Sequence, residues 1–343
     1  MRAQSVMASP PLSVDEGPED PFGSPSVAAG DAVEGECRDL LDALARVADP
    51  RKPRGIGHTL VSVLALAAAA VVAGARSSVA AGQWAAHAPV GVLVALGVRV
   101  PPRSGLFVVA CESTIRRVLQ DCDGDQLDAA FGAWLSPRLP AGQVIVDGKA
   151  LRGARAGDGR AVHVLAAMLE EDCAVLAQHQ GDHKSTEITA FAPLLEGLEL
   201  AGMLLSADAM HTQRSHARFL VEDKGADYLL TVKENQPKLF AALGALPWEQ
   251  TSIAHTSYDR GHGRTERRTI QVLPAPNEIG FPPAAQAFLI ERYVGDLHDH
   301  ATSAVAVLGL TSRPAHRADP AQIATAVRAH WAIEVRHEVA LSE

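Results

Sequence analysis

The sequence predicts an α/β protein, a mixed-sheet body preceded by a small all-helical domain. Three observations predict it. Apolar residues recur at helical spacing from Asp39 to about Leu135, the period of one buried helix face. Near residue 143 the pattern changes to short continuous apolar runs alternating with helical stretches. Residues 236–315 then read as β segments joined by polar loops. The chain has 343 residues, enough for two domains at roughly 150 residues each.

The composition is 47% hydrophobic and 21% charged, ordinary for a globular protein and too apolar for a disordered one. With 31 Lys+Arg against 40 Asp+Glu, the net charge is −9, so no global basic field advertises nucleic acid. The balance is uneven, because residues 1–36 hold seven acids and only Arg2. The nearly neutral remainder can still carry local basic patches. Cys37, Cys111, Cys122 and Cys173 lie far apart without a CxxC pair. That spacing argues against a structural zinc site or disulfide framework and suits a reducing compartment. A start rich in Pro, Ser and acids, with no apolar signal core, reads as cytoplasmic,.

In chain order, residues 1–36 are expected to be a disordered acidic tail, residues 37–140 a helical domain and residues 141–343 the α/β body. Leu40, Leu41, Leu44 and Val47 form a helix face. The uncharged stretch Gly55 to Ala75, preceded by Arg51, Lys52 and Arg54, is long enough to cross a bilayer,. Its Ala, Gly, Ser and Val content, with His58 and Thr59, favours a buried helix near 59–75 instead,. Ser113-Thr114 reads as a cap before the amphipathic turn Ile115, Val118, Leu119,. Pro101-Pro102 and Pro137–Pro140 punctuate this part,.

The strand-like run "QVIV" ends in Asp147, and "AVHVLAAMLEE" and "CAVLAQHQ" follow it as strands. Ser185-Thr186 caps a helix whose expected apolar face is Ile188, Phe191, Leu194/Leu195 and Leu198. "GMLLSADAM" is a buried strand ending in Asp208; a helix from about Thr212 to Lys224 and the strand "ADYLLTVKE" come next. "HTSYDRGHGRTERRTIQVL", "AQAFLIERYV" and "SAVAVLGLTS" make up the β-rich segment, about residues 240–315. Asp319 caps the last helix, Pro320 takes its first position, and Ile323, Val327 and Trp331 share a face,.

Two apolar strands each finishing in an aspartate is the main chemical signal. Side chains beyond strand ends leave the core yet rest on rigid backbone. Paired carboxylates there would repel one another unless a divalent cation bound between them, and oxygen ligands suit Mg²⁺ or Mn²⁺. An Asp147-Gly148 turn and a helix cap at Asp208 remain open as alternatives. Glu334, four residues after His330 on the last helix, could supply a third carboxylate,. His330, Glu334 and His337 do not have HExxH spacing and make a poor zinc site. Basic residues accompany the acids: Lys149, Arg152, Arg155 and Arg160 follow Asp147, and Arg260, His262, Arg264, Arg267 and Arg268 lie in the β-rich segment. Such groups suit phosphate contact. "RGARAGDGR" lacks a phosphate-cradling pattern and reads as a flexible hairpin,.

Taken in order, "VIVDGKALRG", "HVLAAM", "GDHKSTEITAFAPLLEGLELAGMLLSADAMHTQ", "KGADYLLTVKENQPKL", "RGHGRTERR" and "HWAIE" resemble the H-repeat-associated, ISAs-one-type insertion-sequence transposases. "CESTIRRVLQDCDGDQLDAAFGAWL" is similar to the helical domain associated with that family, and the likeness runs from about Leu40 to His337. The resemblance implies an RNase H-like core with a DDE triad at Asp147, Asp208 and Glu334, which would be both catalytic residues and metal ligands. It implies two Mg²⁺ or Mn²⁺ ions, cutting and joining of DNA strands at element ends, and a β-rich insertion between the second and third acids. The implied partners are double-stranded DNA, as terminal inverted repeats and target, and further copies of the chain on that DNA. The helical domain would bind the ends, and Lys149, Arg152, Lys233, Arg264 and Arg268 would contact DNA phosphates. Such a protein would be cytoplasmic, associated with the nucleoid when on DNA.

The end of the chain departs from the family pattern. Val335 stands where an Asn is expected, and nine residues follow Glu334. The alternative reading is therefore a catalytically inactive, truncated transposase that only binds DNA.

Overall fold

The computed structural model describes residues 27–54, 56–99, 107–138, 142–155, 161–171, 174–181, 187–261, 263–296 and 301–340. Residues 1–26, Pro101-Pro102, Arg160, Cys173, Ser185-Thr186 and His262, all used in the sequence reading, lie outside that set.

Six helices come first: α1 (Val27–Leu44), α2 (Leu60–Val72), α3 (Ser78–His87), α4 (Val90–Ala95), α5 (Glu112–Asp121) and α6 (Gly124–Leu135). α1 begins at Val27, within the acidic N-terminal stretch. Its first turns, "VAAGDAVEGE", hold Ala, Val and Glu without proline, though Gly30 and Gly35 each cost about 1 kcal/mol of helix propensity. The uncharged stretch folds as α2, capped by Thr59 Oγ1, which accepts from the Ser62 N–H at 3.2 Å. Its Leu64, Leu66 and alanines pack with Leu44, Ala85, Ile115 and Val118 into one small core. Among the described residues no helix is long and apolar enough to cross a membrane. The cap of α5 is Cys111, and Ser113-Thr114 lie inside its first turn. The Cys111 thiol lies 3.3 Å from both hydroxyls.

A nine-stranded sheet follows, with β1 (Gln143–Arg155), β2 (Ala161–Leu169), β3 (Val175–Gly181), β4 (Leu204–Ala207), β5 (Asp227–Val232), β6 (His255–Gly261), β7 (Arg264–Pro274), β8 (Gln286–Asp296) and β9 (Ala301–Thr311). Their order is β3-β2-β1-β4-β5-β9-β8-β7-β6. β1, β2 and β3 form an antiparallel meander, β4 and β5 run parallel to β1, and β9 returns antiparallel to β5. The β-rich segment therefore extends the same sheet, and "HTSYDRGHGRTERRTIQVL" is a hairpin of two strands.

Between strands lie α7 (Glu187–Glu196), α8 (Arg214–Arg218, continued by a π turn over Phe219–Asp223) and α9 (Pro237–Gly244); α10 (Pro320–Ala340) ends the described chain. Side chains alternate across the strands, and the two faces acquire different covers. Val144, Val146, Leu205, Ala207, Tyr228 and Leu230 pack with α7, α8 and α9 in the largest core. Leu204, Leu229, Phe288 and Ile290 pack against Ile323, Ala326 and Val327 of α10 on the other face. α10 opens with a reciprocal cap: Gln322 N–H donates to Asp319 Oδ1 and Asp319 N–H to Gln322 Oε1, both at 2.9 Å,.

Candidate functional site

β1 and β4 are paired in parallel up to Val146 and Ala207. The next residue on each is an aspartate, Asp147 and Asp208, on neighbouring strands about 4.8 Å apart. Alternation places Asp147 with Ile145, and Asp208 with Ser206, on the face covered by α10,. Lys233, the first residue after β5, completes the row, with Nζ 3.2 Å from Asp208 Oδ1. The strand-end expectation is corrected for Asp147. β1 continues beyond it, pairing antiparallel with β2 from Asp147↔Ala166 to Leu151↔Val162. Asp147 thus sits where β1 keeps one neighbour and loses the other, which excludes an Asp147-Gly148 turn.

Asp208 also caps the short 3₁₀ turn Ala209–His211, accepting from Ala209 N–H at 2.7 Å. Burial alone would raise its pKa, but the Ala209 N–H and the Lys233 ammonium outweigh that and hold it below the usual carboxylate range. Asp208 is therefore ionised. Asn235 Nδ2 donates to Ala209 O at 3.0 Å, tying the loop after β5 to this turn.

A buried polar network fixes α10 over the site. Gln143 Nε2 donates to Ser206 Oγ and to Ala326 O, both at 2.8 Å, and Ser206 Oγ lies 3.3 Å from His330 Nδ1. His330 is 4% exposed. Burial pushes its pKa down to about 4, against the opposing pull of Asp208, so the ring is neutral. Glu334 falls one turn further along α10; its side chain lies outside the described residues.

The sequence reading missed Glu187. As the first residue of α7 it is 7% exposed, whereas Ile188, expected on the apolar face, is 39% exposed. Glu187 lies in phase with Phe191, Leu194 and Leu195 at i+4, i+7 and i+8, a signal present in the sequence,. Its carboxylate rests against Gly148: a Cβ added there would meet Glu187 Cδ at 2.5 Å and Oε1 at 2.7 Å. Beside it Phe191 stacks on His216 with centroids 4.1 Å apart, and His211 lies 5.0 Å from Phe191. Burial and the neighbouring His216 bring the His211 pKa down to about 4.

The expected phosphate contacts are dispersed. Lys149 is half-buried two residues past Asp147 on the same face of β1; Arg152 also lies in β1, with its side chain outside the described residues,. Arg264 and Arg268 gather with Arg292 around the buried Glu266 instead. Arg264 Nε is 2.8 Å and Arg292 Nη2 2.7 Å from Glu266 Oε1, while Arg268 pairs with both Glu266 and Asp259. The Arg292 hydrogen bonds, aided by the other arginines, hold the Glu266 pKa down against burial.

Residues 139–340 match the family described as Transposase DDE domain, and residues 41–135 match its DDE_Tnp_1-associated companion. The chain belongs to the DDE transposase family. Its core is accordingly RNase H-like, and its helical region is the family's associated segment. One DDE-family relative, "Putative transposase YncI" of Escherichia coli O157:H7, is 30% identical over 87% of this chain and 77% of its own. "H repeat-associated putative transposase YbfD" of Escherichia coli K12 is 28% identical over 71% of this chain and 97% of its own. A protein in the dhlA 3′ region of Xanthobacter autotrophicus is 32% identical over 66% and 77% respectively. A solved piggyBac transposase synaptic complex with hairpin DNA overlaps 90% of this chain and 65% of that one, at 10% identity and TM-score 0.38. So distant a likeness decides nothing about the site.

Proposed function

We propose that this DDE-family chain cuts and joins DNA strands at the ends of an insertion sequence, using Asp147, Asp208 and Glu334. The observation that carries the reading is that Asp147 and Asp208 each follow the Val146↔Ala207 rung by one residue on neighbouring strands. Two carboxylates on adjacent strand ends create a concentrated negative charge that a hard divalent cation relieves. The Lys233 ammonium beside Asp208 already meets part of that charge. Mg²⁺ or Mn²⁺ suits such an oxygen donor set, of which Glu334 is the proposed third member.

Each residue then has a distinct task. Asp208 is ionised before any cation arrives, because Ala209 N–H and Lys233 stabilise its charge. α10 runs from the Gly202–Leu204 end of β4 toward its far end, with Asp319 and Gln322 near Gly202 and His330 beside Ser206. A further helical turn, about 6 Å at 1.5 Å per residue, carries the backbone of Glu334 toward Asp208. The Gln143–Ser206–His330 network sets the rotation of that helix. Lys233, 64% exposed at its side chain, offers an ammonium to a phosphate oxygen beside Asp208, and Lys149 offers another along β1. When bound, divalent ions would activate the attacking oxygen and neutralise the leaving one. Duplex DNA is the substrate in this reading, and joining two ends calls for more than one copy of the chain.

The test is strand cleavage of a labelled duplex bearing the gene's own flanking ends, with Mg²⁺ or Mn²⁺. Cleavage at the ends by the native chain but not by Asp208→Asn supports the proposal. No cleavage by either, while both bind the duplex, overturns it.

A further inference from the structure

The basic residues that precede α2 line a second site, far along the chain from the acidic one. Arg51, Lys52 and Arg54 line a surface cavity of about 450 Å³ together with His58 and with Arg117 and Asp121 of α5. The chain as a whole is acidic, at −9, so four cations around one cavity are a local concentration against the global trend.

Arg51 makes a two-pronged pair with Asp49, Nε to Oδ1 and Nη2 to Oδ2 both at 2.8 Å, and Nη2 also donates to His58 O at 3.0 Å. These bonds tie Arg51 to Asp49 and to the backbone at His58, and the charge of Asp49 is met by Arg51. Lys52 and Arg54 are left exposed; among the described residues neither is in a salt bridge. Arg117 Nε is anchored to Ser113 O at 2.9 Å, which aims the guanidinium without neutralising it. His58 feels this field, its pKa lowered first by burial and then by Arg51.

We propose that this cavity takes the sugar-phosphate backbone of duplex DNA, holding it on the helical region as a sequence-independent contact. The proposal rests on the DNA-processing reading above. Cations spread along a loop and a neighbouring helix suit a run of phosphates better than a single bound ion. Guanidinium forks match phosphate oxygens, and contacts of this kind position a duplex without reading its sequence. Asp121 also lines the cavity, so phosphates would sit nearer to the Lys52, Arg54 and Arg117 side chains than to its carboxylate.

The test uses the full chain with EDTA present, measuring anisotropy of a labelled end duplex and a scrambled duplex across a KCl series. Neutralising three cations (Lys52→Gln, Arg54→Gln, Arg117→Gln) is expected to lower the log–log salt slope by about 3, roughly one per lost phosphate contact. Affinity should fall at least about tenfold at ~0.1 M salt, equally on both duplexes. The Arg54→Lys, Arg117→Lys variant should retain the slope. Arg116→Gln, already engaged with Glu112 and outside the cavity, should behave as native. Unchanged slope and affinity in the triple variant, or no duplex binding by the native chain, overturns the proposal. So does displacement by inorganic phosphate beyond its ionic-strength effect, which would mark a discrete anion site instead. Binding is read without divalent ions, so a failure of strand cleavage leaves this result standing, and the converse also holds.

Discussion

Asp147 and Asp208 occupy equivalent positions on adjacent parallel strands, each one residue past the Val146↔Ala207 rung. Their sheet neighbours differ: Asp147 still pairs with Ala166 of β2, while Asp208 has turned into the cap of a 3₁₀ turn. The β1–β4 ladder ends at that rung, so the two aspartates stand where β4 leaves the sheet and β1 goes on with β2 alone.

That arrangement predicts metal-linked stability. An ion that binds only the folded chain stabilises it by about 2.7 kcal/mol at a hundred times its dissociation constant. Mn²⁺ or Mg²⁺ should therefore raise the Tm of the native chain, and Asp147→Asn or Asp208→Asn should remove most of that rise. Strand cleavage should fall on the order of 10³-fold or more in either variant. A metal-dependent Tm shift that survives both substitutions would place the ion elsewhere.

Gly148 has room for a methyl only if the Glu187 carboxylate moves. In Gly148→Ala the new methyl meets the Glu187 carboxylate at van der Waals overlap, and overpacking of this kind costs about 1–3 kcal/mol. Urea unfolding should show the loss. Combining it with Glu187→Ala should recover part of it, because the carboxylate that collides is gone; additive losses would refute the contact.

Gly309 is a second such position. It faces Phe288 across the β8–β9 rung, and a Cβ there would come within 2.6 Å of Phe288 Cε2 and 2.7 Å of Leu230 O. Since β9 joins the β-rich segment to β5, Gly309→Ala should loosen that junction and lower stability by about 1–3 kcal/mol. Hydrogen exchange should rise in β8 and β9 before it rises in β1.

Acid should destabilise the fold through its buried histidines. His211 and His330 titrate near 4 when folded, chiefly because burial disfavours their charge, against about 6.5 when unfolded. The unfolded chain therefore binds more protons between these values. Stability is greatest above pH about 6.5 and declines toward pH 4, by up to about 1.4 kcal/mol per pH unit for each ring. Denaturant midpoints in EDTA should follow that slope, and His330→Gln should flatten it; a midpoint constant from pH 7 to 5 contradicts this.

Arg264 and Arg268 should separate in their effects. The Arg268 side chain is 16% exposed and joins Asp259 to Glu266, whereas Arg264 is half exposed. Arg268→Gln should cost about 1–3 kcal/mol, leaving charged partners underpaired. Arg264→Gln should leave stability nearly unchanged and, where the arginine touches DNA, reduce the salt slope by about 1. Equal stability losses would show that both are structural.

Local pattern carried much of this protein. The helical spacing before residue 135, the five apolar strands from "QVIV" to "ADYLLTVKE", the Asp319-Pro320 start of α10 and the place of Asp208 directly after β4 are all legible along the chain. They depend on period and capping, which neighbouring residues decide. Glu187 was legible in principle, since its phase with Phe191 and Leu194 is a helical signal, but a leading Glu is ordinarily read as solvated.

Tertiary structure decided the rest, for one physical reason. Which strand lies beside which is fixed when segments distant in sequence close into a sheet, and no local period encodes that choice. β2 prolongs β1 past Asp147; β9, returning to β5, makes the β-rich segment part of the same sheet. The charges obey the same logic. Arg268 is drawn inward because Asp259 and Glu266 arrive on paired strands, while Arg51, Lys52 and Arg54 come to share a cavity with Arg117 only when α5 packs against α2.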